Sequence, residues 1–403
     1  MTNHDRVVRR RRPLGIGVLM AVGGILLAGC TVPGAADTAG QTAAPSTSTT
    51  TANRPDAPAG ELAASLQIQL QAAVDTTMAT YAVPGSAVGV WVPGQGSWTS
   101  ASGLADIANN LPVTTQMQWP LRSVTKSYTV TLLLQLVDEG RVSLDDPIAE
   151  FVDGVTGGDT INLRELANMS SGNADYTNQA FVDDFVKDPS RIFTLAELNS
   201  FALGQPAQFA PAASKVYTNA NTNLIGAVIE KVTGEQFADV LKQRILDPLG
   251  QSGTNYITDV AKWTAPHATG YQFKGGVPEA QTENASIFAA AGSLFTTLDD
   301  ARVWADTLGS GSLLKPETQR EREMGSPLDA GPPYDQYALG IGETGGWWGH
   351  NGEGIGYTTA VFRDDSSGAS IAVFMNESNV PDAHPADATF RALAGVLANG
   401  ATK

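Results

Sequence analysis

Cysteine is nearly absent: the 403-residue chain carries one, Cys30. An intramolecular disulfide is therefore impossible, and a thiolate metal cluster is excluded. Histidine is scarce as well, with four residues and no H-E-x-x-H pairing, which argues against a zinc hydrolase. Positive charge is in deficit, 25 Lys and Arg against 41 Asp and Glu for a formal net charge of −16, and no basic run lies beyond the N-terminus. Phosphate binding needs clustered cations, so nucleic acid is not predicted as a partner. G-x-S-x-G is missing, which removes the nucleophile elbow of an α/β-hydrolase. No repeat of fixed period is found, and no metal or organic cofactor is implied.

What is present begins with an export signal. Arg6, Arg9, Arg10, Arg11 and Arg12 precede a short apolar stretch from Leu14 to Leu27, followed by Leu27-Ala28-Gly29-Cys30. The stretch is too short for an ordinary spanning helix. It resembles a bacterial lipobox, which implies a signal peptide over 1–29 and a diacylated Cys30 that holds the protein on the outer face of the cell membrane. Residues 30–60 are almost wholly Ala, Thr, Ser, Pro and Gly, a composition that cannot bury a core and predicts a disordered tether. With 42% hydrophobic residues overall, residues 61–403 are ample for a globular domain.

Within that domain, apolar spacing predicts a helix over Glu61–Tyr81, then strands over Ser86–Val92 and Ser97–Ser102 joined by a Pro-Gly-Gln-Gly turn. Helical patterns dominate the middle: Val124–Glu139, Leu163–Met169, Leu195–Phe201, Asn221–Val232 and Gln236–Leu246. Strands return over Trp347–His350, Gly356–Arg363 and Ala369–Asn376, and a helix over Ala386–Leu397 closes the chain. Strands at both ends with helices between them predict an α/β architecture. An antiparallel sheet is assembled from the N- and C-terminal parts, with an inserted, mainly helical lobe and a cleft between the two.

The sharpest local feature is Ser123-Val124-Thr125-Lys126 at the head of an apolar helix. One turn of helix separates the two functional groups, and the lysine leans back toward the N-terminus, where it can meet the hydroxyl. A serine is unreactive at neutral pH without a proton acceptor, and a buried lysine can be neutral enough to serve. With 25 serines and 9 lysines in the chain, chance alone gives about half a match to this spacing. A second match, Ser312 to Lys315, is followed by Pro316, which disfavours helix at Lys315, so it is read as loop.

Two later elements complete a catalytic set: Tyr217-Thr218-Asn219 and His350-Asn351-Gly352. Acyl transfer needs a second proton-handling group and backbone donors for an oxyanion. The order S-x-x-K, Y-x-N, H-x-G resembles the serine β-lactamase-like hydrolases, which include class C β-lactamases, D-alanyl-D-alanine carboxypeptidases and related esterases. The resemblance covers about residues 70–397. WPLRSVTKSYTVTLLLQLVDEGRVSLDDPIAEFV looks especially like the secreted Streptomyces carboxypeptidases, and KVYTNANTNLIGAVIEKVTG and WGHNGEGIGYTTAVF extend it. It implies the β-lactamase/transpeptidase-like fold. It further implies Ser123 as acylated nucleophile, Lys126 as the group that tunes or takes its proton, and Tyr217 as general base and acid. Asn219 would hold the substrate amide or the Lys126 ammonium, and His350 would lie on the edge strand beside Tyr217, where it and the following Asn351, Gly352 and Glu353 would contact the substrate. The N–H groups of Ser123 and Glu353 would form the oxyanion hole. Tyr176-Thr177-Asn178 and Lys274-Gly275-Gly276 are rival motifs; the flanking sequence favours Tyr217 and His350 over them.

The chain also departs from the carboxypeptidase pattern. Thr after the strand His, Thr after the Gly and an Arg on the preceding strand usually grip a substrate carboxylate. Here Asn351 and Glu353 fill the first two places, and LGIGETGG (339–346) contains no Arg. A carboxylate 4 Å from Glu353 would be repelled by about 1–4 kcal/mol. The expected function is a cell-envelope serine hydrolase acting on a small ester, amide or peptidoglycan-derived D-amino-acid substrate. The alternatives are a penicillin-binding or sensing lipoprotein with little turnover, and a D-alanyl-D-alanine carboxypeptidase or β-lactamase. Trp347 and Trp348, next to His350, fit either an apolar acyl pocket or the core, the more common role of such residues.

Overall fold

The computed structural model describes residues 54–400. The predicted signal peptide and Cys30 lie outside the described residues. Residues 54–60, assigned by composition to the tether, are already seated on the body. Arg54 pairs with Asp300 at 2.9 Å and with Asp299, and Arg302 donates to the Pro55 carbonyl at 3.0 Å.

The chain enters helix α1 (Ala64–Tyr81), three residues later than predicted because Glu61 instead bridges to Ser97. Three strands follow, β1 (Gly85–Val92), β2 (Gly96–Asp106) and β3 (Leu111–Pro112). Near the C-terminus come β4 (Gln336–Tyr337), β5 (Gly342–Thr344), β6 (Trp347–Gly354), β7 (Tyr357–Asp364) and β8 (Ser370–Met375). Together they form one eight-stranded antiparallel sheet in the order β3-β2-β1-β8-β7-β6-β5-β4. The two halves join where Ser86 pairs with Met375 and Trp91 with Ser370.

All eight residues of β1 are buried, because both faces of the sheet are covered. Side chains alternate between the faces. Val88 and Val90 point to the layer of α1 and the closing helix, whereas Ala87 and Trp91 point to the central core. The closing helix, α5 (Pro385–Gly400), stacks Phe390 on Phe362 at 4.2 Å. On the other face lie α2 (Thr125–Asp138) and α4 (Leu298–Ser310); Trp304 stacks on Tyr128 at 3.5 Å and donates to the Ser127 hydroxyl at 2.8 Å. The α4 helix was not anticipated, because Leu298-Asp299-Asp300-Ala301-Arg302 reads as polar while its buried Arg302 is held by Asp306 at 2.9 Å.

Helix α2 runs through the centre of the molecule rather than along its surface. Its polar positions are buried all the same, since their hydroxyls bond to backbone: Ser127 to Val124 O, Thr131 to Ser127 O and Thr129 to Ala290 O, each at 2.6 Å. A buried hydroxyl so paired avoids the desolvation cost of an orphan. The inserted lobe contains α3 (Asn219–Thr233) and short helices over Leu163–Ala167, Gln179–Lys187 and Leu195–Ala202. The predicted helix over Gln236–Leu246 is α-helical only to Leu241 and continues as a π turn.

Candidate active site

Ser123 occupies a 3-10 turn, Arg122–Val124, that runs directly into α2, so Lys126 falls in the first α-helical turn. Arg122 adopts φ +50°, a left-handed conformation unusual for a residue with a side chain. Its guanidinium is what holds it there: fully buried, it grips Glu283 through both nitrogens and donates to the Gly354 carbonyl at 2.9 Å. It also lies over the rings of Phe288 and Tyr357. The serine is thus presented from a backbone locked to the end of β6.

Lys126 is fully buried. Its Nζ contacts three oxygens: Asn219 Oδ1 at 2.7 Å, Ser123 Oγ at 3.0 Å and the Ala291 carbonyl at 3.1 Å. Two of these oxygens only accept. A neutral amine has two N–H donors and one lone pair, so it satisfies Asn219 and Ala291 and directs its lone pair at the serine hydroxyl. Burial pulls the lysine down to about 7, against the opposing field of the Asp175 carboxylate. The neutral form is therefore available at physiological pH.

Tyr217 and Asn219 flank Thr218, the N-cap of α3, whose side chain accepts from the Ala220 N–H. Val216 and Tyr217 are tied to Met169 O and Ala330 O by their backbone N–H groups. The Tyr217 ring lies 4.9 Å from Lys126 Nζ. Its hydroxyl is sealed from solvent and makes no hydrogen bond of ordinary geometry. Burial drives it far above the usual phenol range, and the Ser123 hydroxyl is the neighbour that pulls the other way. An orphaned buried hydroxyl beside a nucleophile is stored capacity for a proton or a ligand.

Asp175 stands at the start of α3, accepting from the N–H groups of Asn219 and Ala220 at 3.4 and 3.3 Å. It immediately precedes the rival motif, whose Tyr176 and Asn178 are structural. Tyr176 is buried against Phe181 and donates to Ile287 O, and Asn178 caps the helix Gln179–Lys187. The other rivals are also elsewhere. Lys274-Gly275-Gly276 is a hairpin turn, and Lys315 is the extended residue before the helix Pro316–Arg322, its backbone N–H bound to Asp138.

Strand β6 passes close to the serine. It pairs with β7 along its length but with β5 only as far as Gly349, so among the described residues the edge from His350 onward has no strand neighbour and faces the Arg122–Val124 turn. Gly352 makes the approach possible. A Cβ there would stand 2.6 Å from Leu121 O and 2.8 Å from Ser123 N, both backbone atoms that cannot move aside. Gly352→Ala is expected to lower kcat by about 10–100-fold through displacement of the serine turn, since overpacking of this kind costs ~1–3 kcal/mol. Steady-state kinetics beside a thermal melt checks it; unchanged kcat would mean that the strand and turn do not touch.

Asn351, Gly352 and Glu353 line a cleft of about 370 Å³ with Ser123, Tyr217 and Asn219. His350 does not, which corrects its placement as a substrate contact. It is fully buried, with ring nitrogens 3.1 Å from Tyr334 Oη and 3.2 Å from Tyr337 Oη, and its ring is 6.0 Å from that of Tyr217. Burial and the nearby Lys126 pull it down to about 3, so it stays neutral. It supports Tyr217 from behind. Trp347 is likewise core, edge-on to Phe390, and neither Trp347 nor Trp348 is among the residues that line the cleft.

Several site residues carried no sequence signal. Phe288, Pro332, Pro333 and His384 also line the cleft. His384 Nδ1 accepts from the Asp387 N–H at 3.1 Å, so its proton is on Nε2, 3.1 Å from the Gly352 carbonyl. It lies in a Pro- and Asp-rich loop with no motif around it.

A family model described as Beta-lactamase matches residues 70–396. D-aminopeptidase of Brucella canis is 28% identical over 324 residues, 78% of this chain and 60% of that protein. The chain thus spans about 60% of the length of the curated relatives it matches. Among solved structures, a D-stereospecific amidohydrolase from Streptomyces sp. shares 27% identity at a TM-score of 0.68, covering 77% of this chain and 94% of that one. D-amino acid amidase from Ochrobactrum anthropi SV3, complexed with L-phenylalanine, shares 25% identity at a TM-score of 0.73, covering 84% and 99%.

Proposed function

The chain belongs to the β-lactamase family of serine hydrolases, and from that premise we propose that it is an amidohydrolase working through an acyl-enzyme at Ser123. The observation that carries the proposal is the disposition of Lys126, whose Nζ meets two acceptor-only oxygens, Asn219 Oδ1 and the Ala291 carbonyl, and has the Ser123 hydroxyl as its third neighbour. In the forward step the Ser123 proton passes to Lys126 Nζ as Oγ bonds to the substrate carbonyl carbon. The carbonyl electron pair moves onto oxygen, facing the N–H groups of Ser123 and Glu353. Collapse breaks the C–N bond, and the departing nitrogen takes a proton through Tyr217. Water then cleaves the ester, with the same groups acting in reverse.

The cleft wall supports a choice of substrate class. Asn351 is committed to the interior, where it accepts from Tyr334 Oη at 2.7 Å, and Glu353 brings a negative charge where carboxylate-binding relatives place a hydroxyl. Amides without a carboxylate beside the scissile bond suit this wall better than penicillins or D-alanyl-D-alanine peptides. The names of the relatives, D-aminopeptidase and D-amino acid amidase, point the same way. The test is a panel of D-amino acid amides, p-nitrophenyl esters, a fluorescent penicillin and a D-alanyl-D-alanine peptide. Amide and ester turnover should exceed peptide turnover by about 100-fold, as ~3 kcal/mol of carboxylate repulsion requires. Stable penicillin labelling without turnover of any panel member would replace this reading by a penicillin-binding or sensing role.

A further inference from the structure

At the end of β6, Glu353 reaches over to the segment that carries a second carboxylate, Glu377. Glu353 lines the cleft, and its Oε1 accepts from the Asn379 N–H at 2.7 Å. Two residues before Asn379, Glu377 lies in a short strand, Glu377–Ser378, paired to Tyr271–Gln272. Its side chain is only 2% exposed, and its Oε2 has no hydrogen-bond partner. Among the described residues neither carboxylate enters an ion pair. Burial, and then the charge of Glu353, push Glu377 up to about 7. His384, the adjoining wall, does not neutralise them: its Nδ1 is occupied as an acceptor, and burial holds it below the ordinary imidazole range.

A buried carboxylate with an empty oxygen beside a second carboxylate is costly unless a positive group arrives. The cleft is where such a group can enter. We propose that Glu353, backed by Glu377, forms a subsite for a primary ammonium that the substrate carries next to its scissile carbonyl. The proposal rests on the assignment of Ser123 as nucleophile, which fixes where that carbonyl lies. In an amino acid amide the α-ammonium is two bonds from the carbonyl carbon. The carbonyl oxygen would face the N–H of Glu353, so the ammonium comes within reach of the same residue's carboxylate. The ammonium donates to the Glu353 carboxylate, which lines the cleft, and the charge of the pair falls toward neutrality. The subsite makes a free α-amine a condition for tight binding, whereas N-acylated or α-hydroxy analogues forfeit it.

Binding and turnover separate the two layers of the argument. The Ser123→Ala protein, titrated calorimetrically with D-phenylalaninamide and with its N-acetyl derivative, should prefer the free amine by about 20-fold or more, the range of a charge-assisted hydrogen bond. Glu353→Gln on that background should bring the ratio to within about threefold, and Glu377→Gln should lower it by an intermediate factor. If Glu353→Gln fails to fold, Glu377→Gln must still lower the ratio. No preference for the free amine, or a preference that survives both substitutions, overturns the subsite. These titrations need no catalysis, so ester turnover that persists in Ser123→Ala would sink the nucleophile assignment without touching them.

Discussion

Ser123→Ala is expected to abolish amide and ester turnover, with kcat falling by about 10⁵–10⁶, the scale on which a covalent nucleophile is lost. The binding cleft, the backbone donors, Lys126 and Tyr217 survive the change, and sites stripped of their nucleophile retain about 10³–10⁴ over water in other acyl-transfer enzymes. Mass spectrometry after reaction with a slow acyl donor supplies the second readout. An adduct should appear on the wild-type peptide containing Ser123 and be absent from the variant. The substitution is also mild for the fold. Ser123 is half-buried at the mouth of the cleft, and its hydroxyl has one hydrogen-bond partner, Lys126. Loss of activity with an unchanged melting temperature is therefore the expected pair of results, and turnover within tenfold of wild type would remove Ser123 from the mechanism.

The features legible in the sequence were those that one segment fixes by itself. The S-x-x-K spacing puts serine and lysine one turn apart wherever a helix starts at that point, and the Y-x-N segment rides on the N-cap of α3, so both are local statements. The alternation of Val88 and Val90 with Ala87 and Trp91 likewise fixes which side chains of β1 share a face. What was hidden is what arrives from a distance. Asp175, Phe288 and His384 come from three separate loops, and nothing in their own neighbourhoods marks them. His350 was misplaced for a different reason. The strand predicted over Trp347–His350 runs on to Gly354 and brings Gly352 and Glu353 to the cleft, while the His350 ring turns to Tyr334 and Tyr337 in the core and the Asn351 amide accepts from the same Tyr334 hydroxyl. The close approach of Gly352 to the serine turn depends on sheet register, which a glycine in a motif does not disclose.

The same distinction locates the control of proton transfer. Lys126 is placed by its own helix, but its basicity is set by groups that other elements bring to it: burial under α3 and the Ala289–Ala291 turn, and the carboxylate of Asp175. Asn219 and Asn223 are one helical turn apart on α3. The first accepts from Lys126, and the second accepts from the Ala291 N–H at 3.0 Å, so one helix face holds both acceptors of the lysine in place.

Lys126→Met should therefore cost about 10³–10⁴ in kcat/KM, the contribution of a positioned general base, while it keeps the volume of the side chain. The pH profile tests the role more sharply than the loss does. If the neutral amine takes the serine proton, kcat/KM of the wild-type enzyme must rise with pH through about 7, where burial has brought the lysine, and level off above it. The Asp175 carboxylate favours the ammonium and so raises that midpoint. Its removal acts in the opposite sense: Asp175→Asn should move the rising limb to lower pH, and the plateau should change less than the midpoint. Lys126→Arg keeps a cation but has no lone pair to offer in this range, so it should be as inactive as Lys126→Met at every pH tested. An arginine variant that retained activity would show that the residue at 126 acts only as a fixed positive charge. Proton transfer from Ser123 would then fall to Tyr217, the other group that the serine hydroxyl faces.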